Sequence, residues 1–136
     1  MLLIVGLLAG CAGGGKTDAA APGTSAAPTV ECTQASQALL DRIATGALDG
    51  VGMVPVTGQV YRAPNYGETY FVAMTFSAAG IDDATGVWAT NGIDSGITMS
   101  VDAVAKGFTD WLDASTISTP IASTDPAVAI AIGCLG

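Results

Sequence analysis

Histidine is absent from these 136 residues, and only Lys16, Arg42, Arg62 and Lys106 carry positive charge. Without imidazole the chain has none of the Ser-His-Asp or Cys-His nucleophile systems, and most zinc sites are excluded with them. Twelve carboxylates against four cations give a net charge of −8 with no basic cluster, so a phosphate backbone is repelled and nucleic-acid binding is disfavoured. Aromatic residues make up 6%, and much of the hydrophobic half of the composition is alanine. The core is therefore expected to be small and to need stiffening beyond burial. The apolar run behind Met1, LLIVGLL, is seven residues long, too short to cross a bilayer as a helix.

What is present begins with two overlapping motifs. Gly10 to Thr17, GCAGGGKT, satisfies the GxxxxGKT pattern of a phosphate-binding loop. Such a loop needs a helix starting at its Lys-Thr, and here Pro22, Gly23 and Pro28 interrupt any helix within two turns. The chain also lacks the alternating strand and helix units of a parallel nucleotide-binding sheet. Read one step earlier, Leu8, Ala9, Gly10 and Cys11 form LAGC behind an apolar run. This tetrad resembles the lipobox of bacterial lipoproteins.

The resemblance covers residues 2–11, and it implies that residues 1–10 are a lipoprotein signal peptide and that Cys11 receives a diacylglyceryl group, palmitate among its acyl chains. Two or more chains would anchor the mature protein, since each buried methylene contributes about 0.8 kcal/mol. Signal peptides carry Lys or Arg before the apolar run; Leu2 follows Met1 at once, so the true start is expected to lie upstream. Residues 11–30 then read as the lipidated Cys and a tether of small, polar and helix-breaking residues. Residues 31–136 are expected to be one extracytoplasmic domain. If Cys11 carries the lipid, Cys32 and Cys134 remain of the three cysteines, and pairing them joins the two ends of that domain. The disulfide agrees with export to an oxidising compartment.

Within the domain, Ala35, Leu39, Leu40, Ile43 and Ala47 recur at helical spacing and predict a helix over about 33–46. Residues 54–62, VPVTGQVYR, read as an edge or bulged strand because of Pro55 and Gly58. Residues 68–78 predict the strongest strand, with Tyr70, Val72, Met74 and Phe76 on its core face. GIDDATG is read as a turn, 86–90 as the returning strand, NGIDSG as a second turn and 97–101 as a further strand. Asp102 is a helix cap ahead of Val104, Ala105, Phe108 and Trp111. At the end of the chain Asp125-Pro126 favours a short helix over a strand. The expected architecture is α+β: an antiparallel sheet of about four strands, with the N- and C-terminal helices on one face and the ends joined by a disulfide.

Little in this pattern carries chemistry. Asp82, Asp83 and Asp94 fall in the two expected turns and are weak calcium candidates, the preferred reading being turn geometry, which uses the same residue types. The same carboxylates are the only basis for a small acid–base hydrolase, a remote alternative. Trp88 and Trp111 are read first as core packing and second as the wall of a ligand pocket or contact surface. Arg62, Tyr61, Tyr66 and Tyr70 around APNYGETY form a contact-prone loop.

Cys32, YFVAMTF, GVWATN, the Val-Asp-Ala-Val-Ala segment and Cys134 together resemble small secreted or lipid-anchored proteins of high-GC Gram-positive bacteria, a likeness that spans residues 31–136 and implies a compartment, not an activity. The expected protein is a lipoprotein on the extracytoplasmic face of the cell membrane, with no enzymatic activity and no cofactor, binding a protein or small-molecule partner. A structural or assembly role in the cell envelope is the alternative.

Overall fold

The computed structural model describes residues 31–136. Its frame is a six-stranded sheet in chain order: β1 (Cys32–Gln34), β2 (Val54–Arg62), β3 (Tyr70–Ala78), β4 (Ile81–Thr90), β5 (Thr98–Ser100) and β6 (Leu112–Asp113). All neighbours are antiparallel except β5 and β6, which run parallel. Helix α1 (Gln37–Ala44) follows β1, α2 (Ala103–Phe108) links β5 to β6, and α3 (Pro126–Gly133) closes the chain. None of these helices is long and apolar enough to cross a membrane.

The α+β class holds, and its details correct the sequence reading. There are six strands rather than four, and the sheet is mixed, because α2 carries the chain back across the sheet before β6 and so sets it parallel to β5. Thr33 and Gln34, expected in the first helix, instead form a strand with Cys32 that pairs with β2 through Cys32↔Tyr61 and Thr33↔Val60. The helix starts later, where Ser36 adopts extended geometry and its Oγ accepts the Leu39 N–H at 3.2 Å. GIDDATG is not a turn. The hairpin closes at Ala79-Gly80, Gly80 taking the positive φ of 82° that a β-carbon disfavours, and β4 begins at once with Ile81, Asp82 and Asp83. In β2 the irregularity falls between Pro55 and Thr57, and Pro55 blunts the stretch of edge that β1 leaves unpaired.

The helices do not share a face. Alternation along β3 sends Val72, Met74 and Phe76 to one side, where they join Val60 and Trp88 beneath Leu39, Leu40 and Ile43 of α1 and Ala105 of α2. Phe71 and Ala73 go to the other side with Val87, Ala89 and Val101, covered by Ala114, Ile121 and Ala127, Val128 and Ala131 of α3. Phe71 to Met74 are thus consecutive buried residues, the signature of a strand covered on both faces. The even-numbered set was expected to be the core face; both faces are core. Small Ala73 and Ala89 let α3 approach closely, which is why the alanine-rich tail packs there as a helix. Asp125 caps it, Oδ1 accepting the Ala127 N–H at 2.9 Å, and Pro126 occupies the first turn.

The polar groups that fix α2 to the sheet are satisfied in a chain. Trp88, fully buried, donates its indole N–H to Thr109 Oγ1 at 3.0 Å, and that hydroxyl donates to the Ala105 carbonyl at 2.6 Å. Asp102 Oδ1 accepts from both Ala105 N at 2.8 Å and Val87 N at 3.1 Å, so one carboxylate caps α2 and fixes it to β4. Beyond α2, the N–H and hydroxyl of Ser115, and after them Lys106, hold the Asp113 carboxyl below the ordinary carboxylate range.

Cys32 and Cys134 form the expected disulfide, with Cα atoms 5.7 Å apart across a sequence separation of 102 residues. Closing a loop of that length removes denatured-state entropy worth about 4 to 5 kcal/mol in the chain-entropy model. The double variant Cys32→Ala, Cys134→Ala is expected to lose about that much stability in urea unfolding at neutral pH; a loss below about 1 kcal/mol would contradict this role.

Candidate functional site

On the α1 face the helix covers the sheet only in part. Past its N-terminus, the end of β2 and the start of β3 run on between two loops, and the uncovered strip forms a cleft of about 640 Å³. Its floor is apolar: Ala35 from the link between β1 and α1, Leu39 from the first turn of α1, Val60 from β2 and the ring of Tyr70 at the head of β3. One wall is β1, contributing Thr33 and Gln34, with Glu31 just before it and Ser36 beyond it. The opposite walls are the β2–β3 loop, through Pro64 and Gly67, and the β4–β5 loop, through Ile93 and Asp94.

Each wall has its own brace. Arg62 donates from Nε to the Gly67 carbonyl at 3.2 Å and pairs with Glu68 at 3.3 Å, which folds the β2–β3 loop back over the sheet; its guanidinium lies 5.9 Å from the centre of the Tyr70 ring. Arg42 reaches out of α1 and donates from Nη2 to Thr90 Oγ1 at 2.9 Å and to the Gly92 carbonyl at 2.8 Å. Thr90 donates to the same carbonyl at 2.9 Å, and Asn91 Oδ1 accepts the Ile97 N–H at 2.9 Å. The β4–β5 loop is therefore tied to α1 through one guanidinium, whose Nε and Nη1 are buried without a partner among the described residues.

The β2–β3 loop is also tied through the sheet. Tyr66 packs its ring on Phe71 at 5.6 Å and donates its hydroxyl to Asp125, the cap of α3 on the far face. The disulfide fastens the other end of α3 to β1. Both walls, β1 and the β2–β3 loop, are thus secured to one helix that never enters the cleft.

No protein-family model, curated protein or solved structure matches this chain. The site is therefore read from its own residues.

Leu8, Ala9, Gly10 and Cys11 lie outside the described residues. Asp82 and Asp83 stand near the start of β4 and Asp94 beyond its far end, separated by about 25 Å of strand at some 3.3 Å per residue. The three candidate ligands are not brought together, because Asp82 and Asp83 enter β4 at one end and Asp94 follows it at the other. Among the described residues no group of three or more His, Cys, Asp or Glu side chains is placed to hold a metal ion. Trp88 is sealed in the core, and Trp111, half-buried, donates its indole N–H to the Ile43 carbonyl at 2.8 Å. Neither lines the cleft. The loop APNYGETY does supply a wall, through Arg62, Pro64, Gly67 and Tyr70. Glu31, Thr33, Leu39 and Ile93 were not legible as site residues; each reads locally as tether end, helix stripe or turn, and only the sheet order brings them together.

The Tyr66–Asp125 contact has a pH signature. The carboxylate beside it raises the phenol above its ordinary value near 10, the hydrogen bond being the main cause and desolvation the next. A raised folded-state value means the contribution is fully present below about pH 10 and is lost as pH climbs through the folded value. Urea unfolding from pH 7 to 11 is expected to show stability falling only above about pH 10. Tyr66→Phe is expected to be less stable at pH 7, by about 1 kcal/mol, with a flatter alkaline profile; an unchanged profile in that variant contradicts the contact.

Proposed function

We propose that the chain is a lipid-anchored extracytoplasmic binding domain, tethered through Cys11 and taking a small ligand in the cleft between β1, α1 and the two loops. The observation that carries the reading is the cleft itself. It has a volume of about 640 Å³, within the range typical of ligand sites, with an apolar floor and polar groups confined to its rim. Its walls are braced by side-chain bonds rather than left as free loops, so a ligand meets a largely formed site and little ordering is left to its binding.

The anchor follows from LAGC and from the cysteine arithmetic: Cys32 and Cys134 pair with each other, which leaves Cys11 for another task. In this reading residues 11–30 are the tether, and twenty residues of random coil span about 25 Å, enough to hold the domain off the bilayer surface. Glu31, where that tether joins the domain, is also a residue of the cleft rim. In this reading the site works at the membrane-proximal end of the domain, on ligands close to the outer leaflet. The protein acts by binding and not by catalysis. Supporting that reading, Asp82 and Asp83 stand far from Asp94, at the other end of β4.

A structural role in the envelope is the second reading. It rests on Val54 and Val56, each 58% exposed, and Ile81, 42% exposed, at the opposite end of the sheet from the cleft.

Two measurements test the proposal. Cells fed labelled palmitate are expected to label the protein, and Cys11→Ala is expected to abolish the labelling; undiminished label in that variant contradicts the anchor. For the cleft, Ile93→Trp places a large ring at the mouth without touching either core layer. In an NMR screen of small amphiphiles, hits on the parent protein are expected to shift Tyr70 and Val60 resonances and to lose at least tenfold in affinity against Ile93→Trp. Hits that ignore this substitution and shift Val54 and Val56 instead favour the second reading.

A further inference from the structure

We infer that the cleft selects organic cations: ligands with an ammonium or similar head group and a short apolar body. The inference rests on the reading of the cleft as a ligand site and adds the charge of what enters it. The floor of Leu39, Val60 and Tyr70 fits an aliphatic or aromatic body. The rim carries two carboxylates on opposite walls, Glu31 beside β1 and Asp94 in the β4–β5 loop. Neither is in an ion pair among the described residues.

The cations of the domain are committed elsewhere. Arg62, the one positive group on the rim, is paired with Glu68 at 3.3 Å; Lys106 is paired with Asp113 at 3.1 Å; Arg42 is turned to Thr90 and the Gly92 carbonyl. Among the residues that line the cleft Glu31 and Asp94 outnumber Arg62, whose charge Glu68 offsets in part from outside the lining, so the rim is negative, and a chain of net charge −8 reinforces the same field from further away. Tyr70 adds a surface suited to a cation, its ring already facing the Arg62 guanidinium at 5.9 Å. An anionic ligand of equal shape would meet two like charges at the entrance that no ion pair offsets among the described residues, so the rim rejects as well as attracts.

The test uses the full chain carrying Cys11→Ser, so that no acyl group competes for the probes, and follows Tyr70, Val60 and Ile93 by NMR during titration with hexylammonium, hexanol and hexanoate. The three probes share one apolar body and differ in charge. Hexylammonium is expected to bind about threefold to tenfold more tightly than hexanol, the range that two exposed carboxylates supply, and hexanoate more weakly than either. Glu31→Gln combined with Asp94→Asn, both exposed positions, is expected to bring hexylammonium down to the affinity of hexanol, and raising the salt to 0.5 M to narrow the gap in the parent chain. Equal binding of hexanol and hexylammonium, or tightest binding of hexanoate, overturns the charge selectivity while leaving the cleft as a site. No saturable shift with any probe overturns both.

Discussion

Helix α3 is held at each end to a different wall of a cleft on the other side of the sheet. Its cap residue Asp125 accepts the Tyr66 hydroxyl and so fixes the β2–β3 loop, while Cys134, its last-turn neighbour, is bonded to Cys32 of β1. Without these two ties β1, a three-residue edge strand exposed along its whole length, would depend on its pairing with β2 alone. Strands that short at a sheet edge are marginal by themselves. The covalent tie turns a frayed edge into a fixed wall, and the cleft exists because that wall stays in place.

The second constraint is composition. A domain rich in alanine and poor in large side chains cannot build one thick core, so it builds two thin ones, on either side of β3 and β4. Two thin layers demand close approach, met by Ala73, Ala89 and Ala131 on one face and by Gly58 on the other, where an added β-carbon would sit 2.5 Å from Leu40. Neither cover extends over the full length of the strands. Where α1 ends short of the strand tips the apolar floor is left open, and there the loops and their two arginines close around it rather than over it.

Much of this was legible residue by residue and little of it in assembly. Caps announced themselves: Asp102 and Asp125-Pro126 stand where the helices start, because their side chains answer orphan N–H groups within three residues. The pairing of Cys32 with Cys134 followed from counting, once a separate task was assigned to Cys11. What failed was long-range. Asp82 and Asp83 read as turn residues, but the tertiary pairing of β3 with β4 carried the strand through them and left the tight turn to Ala79 and Gly80. The even-numbered face of β3 drew attention because its side chains are larger, and the alanines of the other face gave no local sign that a third layer would cover them. The site shared that fate: the loop around Tyr70 was visible, whereas Glu31, Leu39 and Ile93 come from three segments that only the sheet order brings together.

The central claim, that α3 secures the cleft from behind, is tested most directly by amide hydrogen exchange on the oxidised and the reduced protein. Reduction is expected to speed exchange at the β1 amides and along α3, while β3 and β4, buried between both layers, keep their protection. Unchanged protection of β1 and α3 after reduction would show that the sheet holds that wall without the helix, and would contradict the claim.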